Sequence, residues 1–452
     1  MLKMEKNIYR FTLVALFAAL LCSCSSNYVD VVPHNAKAVV AINPKQLGTD
    51  RELGSLGKIL GVESVEHCGI DLKEKIFLFM APDGMLGLVA AVTSESDVEK
   101  VFDSLVEKKM ATEFEDYKGY DFSVVNNSFL VGKSSKALLV MGPSVASDHL
   151  VLKRRMAKYL SAESEGGFGS TEMYDRLSDI DAALAVVAQL RMLPENVSVP
   201  FSMTLPKNVP MEKCYVAAAV RKQGKTLSIE GETFSFDSQT DDSINAMKDK
   251  FKPIADSYLN TIPSDRLMSL TCSMAGNDLL NMMRSNNEMR TLLFGVNTSI
   301  DIDKMVRSVD GQIVVGYDDN NDENKFSLLA EVNNMDWIAD VDYWKRSSPH
   351  GTVIDDMGEG KYRIHSDAMD VFFGLEKSRK LLYITSEEEV ADNCAKDAKK
   401  PIDSEIKAMT VGKKLAIIVN INSLLKVFDV NMGAGVALSM LGGIDTIVVT
   451  EK

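Results

Sequence analysis

Two periods alternate along this chain. Runs rich in aliphatic and β-branched residues at 36–43, 75–81, 85–93, 128–133, 136–141, 182–190, 213–222 and 226–236 predict strands. Short turns such as Pro82-Asp83-Gly84 and Gln223-Gly224 separate neighbouring runs, which predicts antiparallel hairpins. Elsewhere the period lengthens. Ser96 and Glu99 have the spacing of a capping box, and Val98, Val101, Phe102 and Leu105 behind them share one helical face. A second helix is predicted over 241–259, with Ile244, Met247, Phe251, Ile254 and Tyr258 on one stripe. The pattern is that of an α+β protein.

The pattern also repeats. Val32-Pro33 followed by AKAVVAI at 36–42 is answered by Ile262-Pro263 followed by RLMSLTC at 266–272, and Ile70-Asp71-Leu72 by Ile300-Asp301-Ile302, both 230 residues on. AALAVVAQLRML at 182–193 aligns with KLAIIVNINSLL at 414–425, 232 residues on, and the strand at 215–220 aligns with 445–450, 230 on. In between, MLGLVAAV at 85–92 aligns with KFSLLAEV at 325–332, an offset of 240, and SKALLVMG at 135–142 with SRKLLYIT at 378–385, an offset of 243. The drift arises where turn residues already mark loops. The expectation is two homologous units, 32–260 and 261–452, each a mostly antiparallel sheet with flanking helices.

The start of the chain is built differently. Lys3, Lys6 and Arg10 precede FTLVALFAALL at 11–21, a charged region followed by an apolar run of 11 residues. A spanning helix needs about 20, so a cleaved signal explains the run better. Leu21-Cys22-Ser23-Cys24 resembles the lipobox of bacterial lipoproteins, which implies a cut before Cys24 and acylation of that residue. Cutting before Cys22 instead would put bulky Leu21 where a small residue is wanted. The expected layout is a signal peptide over 1–23 and a lipidated tether over 24–31. Ser25, Ser26, Asn27 and Tyr28 lack the aspartate that marks inner-membrane retention in the better-known sorting systems, so the expected place is the outer membrane, with the body facing the periplasm.

Charge narrows the partners. The whole chain carries a net charge of −14. Removing 1–23 leaves 47 Lys+Arg against 63 Asp+Glu, a net −16. Nucleic acid, held mainly by basic residues on phosphates, is excluded as an expected partner. The membrane, through Cys24, and a protein partner in the envelope remain. Export permits disulfides among Cys68, Cys214, Cys272 and Cys394, but their spacing is irregular and contains no Cys-x-x-Cys; Cys214 and Cys272 fall in strands, which favours buried thiols.

No catalytic, cofactor or metal residue emerges. Ser55/Lys58 and Ser404/Lys407 have the Ser-x-x-Lys spacing of penicillin-recognising enzymes, without the companion Ser-Asp-Asn and Lys-Thr-Gly motifs. Gly132-Lys133-Ser134 resembles the end of a P-loop but sits at a hairpin, and Gly433-Ala434-Gly435 lacks the third glycine of a dinucleotide fingerprint. The acidic loop 318–324 alternates Asp318, Asn320 and Asp322 as calcium loops do, then fails the EF-hand pattern at Glu323 and Leu329. His67 beside Cys68 is the only His/Cys pair. Met274, Met282, Met283 and Met289 cluster in the predicted first helix of the second unit and read as adaptable core or a binding surface. Two tryptophans, Trp337 and Trp344, are too few for a glycan platform.

The leader ending in Cys22-Ser23-Cys24-Ser25-Ser26, the Val32-Pro33 opening with Ala36, Val39 and Val40, and the duplicated layout together resemble a family of Bacteroidota lipoproteins known only as a domain of unknown function. The resemblance covers about residues 24–452; it implies a compartment and a fold, and carries over no site residue. The expected function is a non-enzymatic, membrane-tethered envelope protein that binds another protein or acts as a scaffold. The alternative is a solute- or ligand-binding lipoprotein with a cleft between its halves, and an envelope hydrolase comes last.

Overall fold

A computed structural model describes residues 27–47, 68–193, 195–285, 300–319, 324–366, 369–394, 396–427 and 443–452. The leader, Cys24, Ser55, Lys58, His67, Met289 and the 433–435 glycine stretch lie outside the described residues. The chain divides into two compact units, the first ending at Ala188 and the second beginning at Gln189.

The first unit holds β1 (Ala38–Ile42), β2 (Ile76–Met80), β3 (Leu86–Ala91), β4 (Glu115–Tyr117), β5 (Tyr120–Val125), β6 (Phe129–Lys133), β7 (Ala137–Gly142) and β8 (Leu184–Gln189). The ladders order them β8-β1-β2-β3-β7-β6-β5-β4, every pair antiparallel. Among the described residues, three helices accompany them: α1 (Glu95–Glu107), α2 (His149–Leu160) and α3 (Glu172–Ser178). Val98, Phe102 and Leu105 of α1 are buried, and the first two pack on Val131 and Leu138 of the sheet. The cap of α1 is not Ser96. Ser94 starts the helix by accepting from the Asp97 amide at 3.3 Å, and Glu99 accepts from Lys133 instead of turning back to cap. An ammonium held near a carboxylate is a stronger partner than a backbone amide.

The second unit contains α4 (Glu195–Ser202), β9 (Tyr215–Gln223), β10 (Thr226–Phe234), α5 (Ser238–Lys248), β11 (Met268–Ala275), α6 (Gly276–Ser285), α7 (Ile302–Arg307), β12 (Val309–Asp319), β13 (Asn324–Val332), α8 (Val341–Ser347), β14 (Val353–Gly358), β15 (Lys361–Ser366), β16 (Met369–Glu376), β17 (Leu381–Thr385), α9 (Glu388–Asn393), α10 (Ser404–Thr410), β18 (Leu415–Asn420), α11 (Ile421–Val427) and β19 (Thr446–Glu451). Its order is β9-β10-β19-β18-β11-β12-β13-β17-β16-β15-β14, antiparallel except where β10 runs parallel to β19. The protein is therefore mixed α and β, mostly antiparallel, with eleven helices among the described residues. Among those residues no helix is long and apolar enough to cross a membrane.

Eight strands of the second unit, in the order β18-β11-β12-β13-β17-β16-β15-β14, have the connectivity of the first unit's eight. Matched pair by pair, these registers differ by one residue from two of the expected sequence alignments. Ala38 faces Ala188 as Met268 faces Val419, which sets Leu184 against Leu415, 231 residues on rather than 232. Leu88 faces Val140 as Leu328 faces Ile384, so Val140 answers Ile384 and the offset there is 244, not 243. A slip of one residue turns every side chain to the opposite face, so the buried set decides the register.

The unit boundary at 188/189 lies elsewhere than the expected repeat boundary at 260/261. β9 and β10 precede that point but pair with each other and, through β10, with β19. Copies are counted along the sequence, whereas compactness follows pairing. The predicted helix over 241–259 stops at Lys248: Pro253 follows, and a proline inside a helix removes a donor and clashes with the preceding turn. Phe251, Ile254 and Tyr258 are still buried, without being on that helix. Met274 likewise belongs to β11, while Met282 and Met283 of α6 pack against the same core.

In the second unit both faces of the sheet are covered. Cys272, Ile313, Ala330, Phe373, Leu382 and Ile417 belong to one cluster, while Val314, Leu329, Phe372, Leu381, Ala416 and Ile418 belong to another. Successive strand residues point to opposite faces, so strands such as LAIIVN and LLYIT read as continuous apolar runs.

Candidate functional site

Asn27 opens the described chain with a capping box. Its side chain accepts from the Val29 amide, and Asp30 accepts from the Asn27 amide at 3.3 Å, winding Tyr28–Val31 into a 3-10 turn. Asp30 is buried and also accepts from the Gly169 amide at 3.0 Å. Gly167 passes so close to this carboxylate that a Cβ there would lie 2.3 Å from Asp30 Oδ1. The amino-terminal turn is thereby fastened to the 168–170 turn, and Phe168 is set against Phe77, with ring centroids 6.5 Å apart.

These contacts frame a cleft of about 560 Å³ inside the first unit. Tyr28, Phe77 and Tyr174 supply its aromatic surface: Tyr28 and Phe77 lie 5.9 Å apart and Phe77 and Tyr174 6.5 Å. Tyr28 donates to the Lys75 carbonyl at 2.9 Å. Burial, with Glu74 and Tyr174 nearby, pushes the Tyr28 hydroxyl well above its ordinary range, and burial with Asp30 and Glu74 does the same to Tyr174. Both phenols are neutral donors at physiological pH. The charged lining residues are Lys45, Lys73, Lys75 and Glu74, and the neutral polar ones include Asn27, Asn43 and Ser178. In a chain of net charge −14, the lining holds three amines and one carboxylate, with Asp30, Asp71 and Asp175 close enough to act on its tyrosines. None of the three amines has an ion-pair partner among the described residues.

A family model matches residues 62–444. The chain belongs to the family described as Domain of unknown function (DUF4836). No curated protein and no solved structure matches the chain. Within the DUF4836 region lie Lys73, Lys75, Phe77 and Tyr174, whereas Asn27, Tyr28, Asn43 and Lys45 come from the segment before it.

The sequence motifs inside the DUF4836 region resolve into structural roles. Lys133, of the Gly-Lys-Ser triplet, closes β6 with its side chain 3% exposed, held by Glu99 at 2.7 Å and Asp121 at 3.0 Å, with Glu95 at 3.9 Å. Burial lowers its proton affinity, but the hydrogen bonds to Glu99 and Asp121 outweigh that and keep it above the usual lysine range. Ser404 opens α10, and Lys407 donates to Asn260 rather than to the serine. The buried residues Trp337 and Trp344 are stacked at 6.3 Å. Cys68, Cys214, Cys272 and Cys394 are buried and form no disulfide among the described residues, and burial pushes the Cys272 thiol up to about 12. Among the described residues no group of three or more His, Cys, Asp or Glu side chains could hold a metal ion.

Asp318, the first member of the calcium-like alternation, is engaged in the fold. It accepts from the Leu267 amide at 2.7 Å and lies 3.4 Å from Arg266, which also donates to Glu387 at 2.9 Å and to Ser327 at 3.1 Å. The Arg266 side chain is only 6% exposed. Removing the cation leaves two partly buried carboxylates facing each other. Arg266→Met is expected to cost about 2 kcal/mol in urea unfolding, below the range for a fully buried pair because water still reaches both acids. An unchanged midpoint would contradict this pairing.

Proposed function

We propose that this DUF4836 protein is a lipoprotein of the Bacteroidota envelope, held on the outer membrane by acylated Cys24 with its body towards the periplasm, and that the body binds rather than catalyses. The observation that carries the reading is the eight-strand order occurring in both units, which supports a body made of two homologous α+β copies. Duplication of a sheet doubles the surface available for holding a partner; it adds no reacting group. The leading partner is another envelope protein, with the body as scaffold.

The cleft of the first unit favours a second reading, ligand binding. Its lining offers amines, amides and hydroxyls with a single carboxylate, and neither histidine nor thiol. Such a set can orient a ligand, but it lacks the paired base and nucleophile that hydrolysis uses.

The tether is tested on protein purified from membranes. The expected amino-terminal peptide begins at Cys24 carrying thioether-linked diacylglycerol and an amide-linked chain such as palmitate. The unfolded protein should then titrate four thiols, from Cys68, Cys214, Cys272 and Cys394. A fifth thiol at an unmodified Cys24, or an intact leader, would overturn the proposal.

A further inference from the structure

The cleft lies at a defined covalent distance from the proposed anchor, and its chemistry has no use in the scaffold reading. Asn27, which lines the cleft, is three residues beyond Cys24. Three residues of extended chain reach about 10 Å at most. An acylated Cys24 sits at the bilayer surface, so the anchor keeps the cleft about one Debye length from the headgroups at physiological salt. Over that distance the field of a charged surface is still felt.

Three features of the lining then point one way. Lys45, Lys73 and Lys75 are amines without ion-pair partners among the described residues, which is unlike Lys133, Lys345 and Lys413, each of which meets a carboxylate. An unpaired amine is a ready partner for an anion from outside. The same lining includes Tyr28, Phe77 and Tyr174, which give an apolar wall; the Tyr28 hydroxyl is committed to the Lys75 carbonyl, and that of Tyr174 stays protonated at physiological pH. The side-chain amide nitrogens of Asn27 and Asn43 add donors in the same lining, their oxygens already accepting from the Val29 and Lys45 amides. Unpaired amines beside an aromatic wall suit a ligand with an anionic, phosphate-bearing head and an apolar or glycerol-like body.

We propose that the cleft of the first unit is a binding site for a phosphate-headed ligand, engaged through Lys45, Lys73 and Lys75. This deepens the ligand-binding reading, and its membrane source rests on acylation of Cys24. The shared chemistry is the phosphate ester, whether it belongs to a bilayer phospholipid or to a soluble glycerol phosphate.

The test uses the acylated full-length mature protein in detergent alone as the unligated reference, in detergent with added glycerol 3-phosphate, and reconstituted in vesicles of phosphatidylcholine or of phosphatidylcholine with phosphatidylglycerol. Lysines are acetylated sparingly and quantified by mass spectrometry, with exposed Lys158 and Lys207 as references. Headgroups at roughly four times the dissociation constant should leave about a fifth of the cleft amines reactive, while the references keep their reactivity. Protection relative to detergent alone that is confined to the vesicles, of either composition, assigns the site to the membrane lipid. Protection by glycerol 3-phosphate as well assigns it to the phosphate ester from either source. Equal labelling in every sample, or equal loss at the references, overturns the proposal. Flotation with vesicles and the mass of the Cys24 peptide are read on the same material. A protein that is acylated and floats but shows no protection loses the site alone; one that is not acylated loses the tether, and the glycerol phosphate sample still decides the site.

Discussion

Replacing Trp337 by alanine is expected to cost about 4 kcal/mol, the largest effect of any single substitution considered for this protein. Trp337 is fully buried at 0% exposure, lies 6.3 Å from Trp344 with the rings only 5° from parallel, and is 6.4 Å from Phe373. It belongs to a 3-10 turn over Asp336–Asp340 and Trp344 to α8, so one side chain ties a connection and a helix to the sheet. The loss has two parts, the transfer of a large apolar surface and the cavity that the neighbours cannot close. Chemical denaturation monitored by fluorescence is suited to the measurement, because the chain has only these two tryptophans. Tyr343→Ala is the control: at 64% exposure it should change stability by no more than about 0.5 kcal/mol. Similar small values for both would remove Trp337 from the core.

The second large effect depends on pH. Glu451 closes β19 with 1% exposure; its Oε1 accepts from the Thr233 amide at 2.9 Å and from Thr204 at 3.4 Å, and its Oε2 is buried without a partner among the described residues. Burial, only partly offset by Thr233, pushes its carboxyl from the ordinary 4.5 up to about 7. In the folded state the group therefore keeps its proton between those values, while the unfolded chain has released it. Stability from this group is fully present below the unfolded value and is lost as pH rises through the folded one. Over that window the loss amounts to about 3 kcal/mol at 1.36 kcal/mol per unit. Glu451→Gln, which cannot ionise, is expected to flatten this part of the profile and to exceed the native protein in stability near pH 8. Parallel stability curves for the two proteins between pH 5 and pH 8 would refute the assignment.

Much of the strand framework was legible because apolar runs are long where a sheet is covered on both faces, as in β17 and β18. The hairpin of β4 and β5 was missed for the opposite reason. Glu115-Asp116-Tyr117 has no buried member, and the turn declares itself only in the left-handed backbone of Lys118 and Gly119. The strand order common to the two units was readable in outline, but the registers of β7 and β8 were set by burial, which spacing alone does not reveal. The cleft was not readable at all. It is assembled from 27–29, 41–45, 73–77 and 174–178, and no one of these segments carries a motif. Asn27 and Tyr28 entered the sequence reading only as neighbours of a lipidation signal. The useful clue would have been lysines clustered in an acidic chain, but Lys45 and the pair at 73 and 75 become neighbours only after β1 and β2 pair.

Strand β19 sits between β10 and β18, parallel to the first and antiparallel to the second. Thr226 meets Thr446 across that ladder, one of the most distant pairings in the chain. Closing so long a loop is slow compared with making hairpins. Until 446–451 arrives, β10 and β18 each present an open edge with unpaired amides and carbonyls, a template for aggregation. During synthesis, this sheet stays incomplete for longer than that of the first unit, which needs nothing beyond β8. The second unit is accordingly where a holding chaperone would matter most.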